Sequence, residues 1–142
     1  MHNAFFKNDF SNLCIGEDVY IGPHTVLDLY GEITIKNHVA IGMNSHIFTH
    51  ASFVGTYSML MRIKVANVVF EEYSGTNPCV TVLAGVTVGR NSYITPHSVA
   101  VENIPPYKIV RGNPAQIIAN LPEEKMKSFE TKYLEKIGWI KS

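Results

Sequence analysis

Aliphatic residues recur every six positions along much of this chain. Ile15, Ile21 and Leu27 form one run, and Ile35, Ile41, Ile47 and Phe53 form a second. Val82, Val88 and Ile94 form a third, extended back by Phe70 and forward by Ala100. The hexads read IGEDVY, IGPHTV, IKNHVA, IGMNSH, VLAGVT, VGRNSY and ITPHSV, with Gly after the aliphatic in four of the seven. The fifth place is small or β-branched throughout: Val19, Thr25, Val39, Ser45, Val86, Ser92 and Ser98. A period of six fits neither a helix nor an alternating strand. It fits a coil whose every flat face spends one short strand and one turn. The large aliphatic points inward, the small fifth residue points inward near the corner, and the third and fourth places face outward. Gly at the second place relieves a tight backbone. Three such faces make one rung, and stacked rungs share a continuous core.

Two interruptions break the period. From Leu27 to Ile35 the step is eight residues, so DLYGE bulges. Between Phe53 and Phe70 the register is lost, and VGTYSMLMRIKVANVV is expected to leave the wall as a loop. Long loops on rigid scaffolds usually carry function. Downstream, ENIPPYKIVRGNPAQII reads as turns around one last strand. Pro122 suits a first helical residue, Glu123 and Glu124 suit the first turn, and Gly138 a stop. Met126, Phe129, Tyr133 and Ile137 form an apolar stripe between them, so a helix is predicted over 122–137. It is expected to pack on the end of the solenoid or on a neighbouring subunit. The domain reading is a repeat domain over 1–118, with its loop at about 54–69, and a helical tail over 119–142.

Composition narrows the partners. Only 17% of the 142 residues are charged, against 46% hydrophobic and a formal net charge of zero. Ordinary domains carry about 25% charged residues, so part of this surface is expected to hide in an oligomer. The absence of a basic stripe argues against nucleic acid. Cys14 and Cys79 have no motif around them and read as buried thiols in a reducing compartment. MHNAFFKNDFSNLCIG lacks the charge and apolar order of a signal peptide, and no apolar run reaches the length of a membrane span. A cytoplasmic protein is expected.

The repeat over residues 13–118 resembles the hexapeptide-repeat acyltransferase family. The resemblance implies an all-β solenoid, a left-handed parallel β-helix with a protruding loop and a C-terminal α-helix. VTVLAGVTVGRNSYITPHSVAVENIPPYKIVRGNPAQII looks most like the maltose, galactoside and polysaccharide O-acetyltransferase branch. The resemblance further implies a homotrimer that binds acetyl-CoA between adjacent solenoids. A histidine beside the loop would act as general base toward a sugar or nucleotide-sugar acceptor. The chemistry is reasonable, since an imidazole accepts a proton near neutral pH as a hydroxyl attacks a thioester. Two other readings stand beside it: a non-catalytic solenoid serving as scaffold or binding module, and a γ-carbonic-anhydrase-like metal site. No convincing third ligand accompanies His46 and His50, so no metal is expected. Fold alone does not separate these.

In the maltose and galactoside enzymes the base stands five places after the inward aliphatic. Counted from Ile47, that place holds Ser52, and His50 stands at the third. Some polysaccharide enzymes have histidines at both places. His50 and Ser52 are therefore the catalytic candidates. By hexad count His50 shares the outward fourth place with His24, His38 and His97, which read as surface polarity. His46, Tyr57 and Arg62 are candidates for the acceptor site. Lys108, Arg111, Asn113, Pro114 and Ala115 are candidates for contacts with CoA, whose phosphates call for cations.

Overall fold

The structure is a computed structural model that describes residues 9–51 and 63–141. Strands are numbered in chain order. The first parallel sheet stacks β1 (Leu13–Ile15), β4 (Ile33–Ile35), β9 (Val68–Phe70) and β12 (Thr87–Val88). The second stacks β2 (Tyr20–Ile21), β5 (Ala40–Ile41), β10 (Gly75–Thr76), β13 (Tyr93–Ile94) and β15 (Lys108–Gly112), with β16 (Ala115–Asn120) antiparallel at its edge. The third stacks β3 (Val26–Leu27), β6 (His46–Ile47), β11 (Thr81–Val82) and β14 (Val99–Ala100). The chain visits the three sheets in rotation, and each return adds a strand parallel to the last.

Register follows the hexads. Ile15, Ile35, Phe70 and Val88 face one another in the first sheet, and Leu27, Ile47, Val82 and Ala100 in the third. In the second, Ile21, Ile41, Thr76, Ile94 and Val110 align. Thr76 thus holds an inward place that a search for aliphatics passes over. Its hydroxyl bonds to Ser45 Oγ and accepts from Gly42 N–H, which makes its burial tolerable. Every one of these inward residues from the second rung onward is buried, whereas Ile15 in the first is 44% exposed.

The turn chemistry explains the period. Asp18, His24, His38, Asn44, Tyr73, Cys79, Asn91, His97 and Tyr107 all have φ between +53° and +62°. These are the fourth hexad places, and each reverses the backbone in the left-handed region that Asn, Asp and His tolerate best. Histidines in this place are turn formers. Cys79 is one of these residues and only half-buried, and Cys14 is exposed; the expectation of two buried thiols is corrected. The second place is governed by close approach. A Cβ on Gly42 would lie 2.5 Å from the carbonyl carbon of Asn77 in the next rung. The fifth-place serines fasten the last rung: Ser92 Oγ donates to Pro105 O and accepts from Lys108 N–H, and Ser98 Oγ accepts from Gly112 N–H.

The tail differs from expectation in detail. The segment read as one last strand is a hairpin, β15 and β16, turned through Asn113–Pro114. Helix α1 (Glu123–Lys136) begins after Pro122, its N-cap, and is followed by Gly138 at φ +77°. It lies along the junction between the first and second sheets, where Asp18, His38, Tyr73, Asn91 and Tyr107 stack. Fourteen helical residues span about 21 Å, close to the roughly 19 Å of five stacked rungs. Glu130 accepts from Arg90 (2.6 Å) and from the Asn91 amide, and the Tyr133 hydroxyl donates to Asp18. His38 is thus no surface residue. Its ring donates to Asp18, stacks on Tyr73 at 4.7 Å and meets Trp139 edge-on.

Among the described residues no helix is long and apolar enough to cross a membrane.

Candidate active site

At two of the three junctions between sheets the hexads run regularly. Both interruptions in the sequence fall at the third junction, where the third sheet hands the chain back to the first. Leu27 and Ile47 are register partners, so the residues that follow them stack. DLYGE follows Leu27, and FTHA follows Ile47. The eight-residue step and the lost register are therefore two layers of one place.

His50 does not occupy a turn there. It lies in β7 (His50–Ala51), which pairs antiparallel with β8 (Lys64–Val65). The wall resumes at Val68, two residues before Phe70, where the repeat is expected to restart. The fourth-place reading of His50 is corrected for a physical reason: the local strand replaces the left-handed corner and turns the ring inward. Its Nδ1 lies 2.6 Å from Asp28 Oδ2, and the two side chains are 14% and 10% exposed. Asp28 Oδ2 also accepts from the backbone N–H of Thr49 (2.9 Å) and of His50 (3.2 Å), and Oδ1 accepts from Tyr30 N–H (3.2 Å). Thr49 is fully buried; its hydroxyl donates to Asp28 O and accepts from Gly31 N–H, both at 2.7 Å. The Tyr30 ring packs on the imidazole with centroids 4.8 Å apart.

Burial pushes the Asp28 carboxyl up, but hydrogen bonds from Thr49 N–H, the His50 ring and Tyr30 N–H outweigh it and hold the group below the usual carboxylate range. Asp28 is therefore an anion at neutral pH and only an acceptor. It fixes the imidazole proton on Nδ1 and makes Nε2 the basic nitrogen, the arrangement of an oriented general base.

His50 opens onto a cleft of about 620 Å³ lined by Phe48, Ala51, Lys64, Leu83, Ala84 and Val101. Phe48, Leu83 and Val101 directly follow the register partners Ile47, Val82 and Ala100. Elsewhere that second place often holds Gly pressed against the next rung. Here it holds three apolar side chains, which form a strip about 10 Å long from the second rung to the fourth.

Comparisons with known proteins point the same way. No family model matches the chain. A putative acetyltransferase of Saccharomyces cerevisiae is 26% identical over 121 residues, 84% of this chain and 62% of the relative. A putative colanic acid biosynthesis acetyltransferase of Escherichia coli is 31% identical over 110 residues, 75% of this chain and 57% of the relative. The chain spans about three-fifths of the length of these curated relatives. A hexapeptide-repeat acetyltransferase of Vibrio cholerae, solved with acetyl coenzyme A, superposes with a TM-score of 0.72 at 27% identity, over 79% of this chain and 62% of the other. A maltose O-acetyltransferase of Clostridium difficile gives 0.71 at 25%, over 79% and 60%. In sequence and in fold this chain is similar to the hexapeptide-repeat acetyltransferases.

The other candidates in this hexapeptide-repeat protein are scattered. Ser52, Tyr57 and Arg62 lie outside the described residues. His46 is exposed on the outer face of the third sheet, its ring 6.1 Å from that of Phe48. Lys108 Nζ donates to Asn120 across the hairpin at 2.6 Å, and Arg111 is exposed on β15. Asn113 and Pro114 form the hairpin turn. Ala115 packs against the core and borders a second cleft of about 340 Å³ with Glu102, Pro105 and Gln116. The two clefts share no lining residue, although Val101 of the first lies between Ala100 and Glu102 of the second in the chain. Asp28, Tyr30, Thr49 and the Phe48–Leu83–Val101 strip escaped the sequence reading. The signal for Asp28 was present: its bulge and the loop fall at the same junction, one rung apart.

Proposed function

We propose that this protein transfers an acetyl group from acetyl-CoA to a hydroxyl, or an amine, of a sugar or sugar-like acceptor. The observation that carries the reading is the Asp28–His50 pair at the mouth of an apolar cleft. Acetyl-CoA supplies the acyl group already activated as a thioester. His50 Nε2 takes the acceptor's proton as its oxygen bonds to the thioester carbonyl carbon. The carbon–sulfur bond breaks, and the imidazolium returns that proton to the departing thiolate. Asp28 stabilises the transient imidazolium and keeps the ring from rotating. Phe48, Leu83 and Val101 suit the pantetheine arm, and the second cleft, with Ala115, suits the nucleotide end. Arg111 and Lys108 are the cations nearest that end in sequence.

In this reading the three sheets wind as a left-handed solenoid, residues 1–118 form the transferase body and 119–142 its tail. Three copies associate, with the cleft closed by a neighbour. A polysaccharide building block as acceptor accords with the name of the Escherichia coli relative. The test is thiol release from acetyl-CoA across a panel of sugars and nucleotide-sugars, with His50→Ala beside the wild type and sedimentation to give the assembly mass. Turnover by wild type that is lost in His50→Ala supports the reading; nearly full rate in the variant overturns His50 as the base.

A further inference from the structure

The cleft beside His50 is lined by one lysine among otherwise uncharged described residues. Lys64 stands on β8 directly across from Ala51, the residue after His50. Lys64 is exposed, and the ion pairs among the described residues leave it out. Some other basic side chains are engaged, Lys36 by Glu71, Arg90 by Glu130 and Lys108 by Asn120, but none of these lines the cleft. The remaining walls, Phe48, Ala51, Leu83, Ala84 and Val101, offer no side-chain hydrogen bond. An ammonium against an apolar wall attracts an anion more strongly than one on an open surface.

An anion held by Lys64 would be either a phosphate of CoA or a group on the acceptor. Geometry separates them. The first CoA phosphate lies about a dozen bonds from the sulfur, roughly 15 Å along an extended arm. With the thioester at His50 and the arm laid along the Phe48–Leu83–Val101 strip, that length spans about three rungs of the solenoid. The phosphate then falls well away from Lys64. We propose that the acceptor is an anionic sugar, and that Lys64 binds its carboxylate or phosphate while His50 deprotonates a hydroxyl. This rests on the acetyltransferase reading.

The test compares kcat/KM at saturating acetyl-CoA for matched acceptors: glucose, glucuronate and glucose 1-phosphate, then UDP-glucose and UDP-glucuronate. The proposal expects the anionic acceptors to exceed glucose by tenfold or more in wild type. It expects that ratio to drop about tenfold in Lys64→Gln, to invert in Lys64→Glu, and to shrink with added salt. Glucuronate against glucose 1-phosphate tells a uronate site from a phosphate site. Neutral acceptors turned over as well as anionic ones, or a Lys64→Gln effect confined to the KM for acetyl-CoA, would overturn the inference while the acetyltransferase reading stands. No turnover with any acceptor and no binding of CoA would overturn both.

Discussion

Asp28 and His50 are 22 positions apart, and each accounts for the other. A buried carboxylate needs donors, and it has the Thr49, His50 and Tyr30 N–H groups as well as the ring. In the proposed reaction an imidazole base needs a fixed tautomer, which the carboxylate provides. Asp28→Asn should therefore keep the packing yet lower kcat/KM by roughly a hundredfold or more, because an amide donor favours the wrong tautomer. Steady-state kinetics would check this, with the KM for acetyl-CoA as the control for folding. The lowered carboxyl also links stability to pH. A depressed folded pKa contributes stability that is fully present above the unfolded value, near 3.9, and is lost as pH falls through the folded value. The stability gap between wild type and Asp28→Asn, read from urea unfolding, should be present at about pH 5 and narrow as pH falls towards about 3. Thr49→Val removes a hydroxyl that both donates to Asp28 O and accepts from Gly31 N–H. Two buried groups lose partners, so a cost of about 1–3 kcal/mol in the same assay is expected.

At the scale of elements, α1 is a strap over one junction. Its stripe was legible from spacing, since Met126, Phe129 and Tyr133 line the groove against Tyr73 and Tyr93. What it straps was not legible, because the column Asp18–His38–Tyr73–Asn91–Tyr107 exists only once rungs are stacked. Glu130 is the central tie. Glu130→Leu should destabilise by about 1–3 kcal/mol in chemical denaturation, chiefly by stranding the buried Asn91 amide. Tyr133→Phe, which removes one exposed hydrogen bond to Asp18, should cost less. The irregular junction works by contrast with the regular ones. β7 and β8 replace a turn, and that exchange aims His50 at Asp28.

For the whole molecule, stability is shared between neighbouring rungs. Gly42→Ala is the sharpest test, because the new methyl would meet the Asn77–Pro78 backbone at 2.5–2.7 Å, where nothing flexible can yield. A loss of roughly 2 kcal/mol or more is expected, read as a fall in the denaturation midpoint. The sequence alone determined the six-residue period, the identity of nearly every inward residue, the place where the wall opens and the C-terminal helix. These follow from local rules: a left-handed turn residue every sixth position, an aliphatic three residues on, and a helical stripe. Tertiary structure alone decided that Asp28 faces His50, that His38 is a tie beneath the helix and not a surface residue, and that Phe48, Leu83 and Val101 form one strip. Each of those pairs residues a rung or more apart. Their contact depends on how many residues each irregular turn inserts before the chain returns to the same face, and a hexad count loses its place at such a turn.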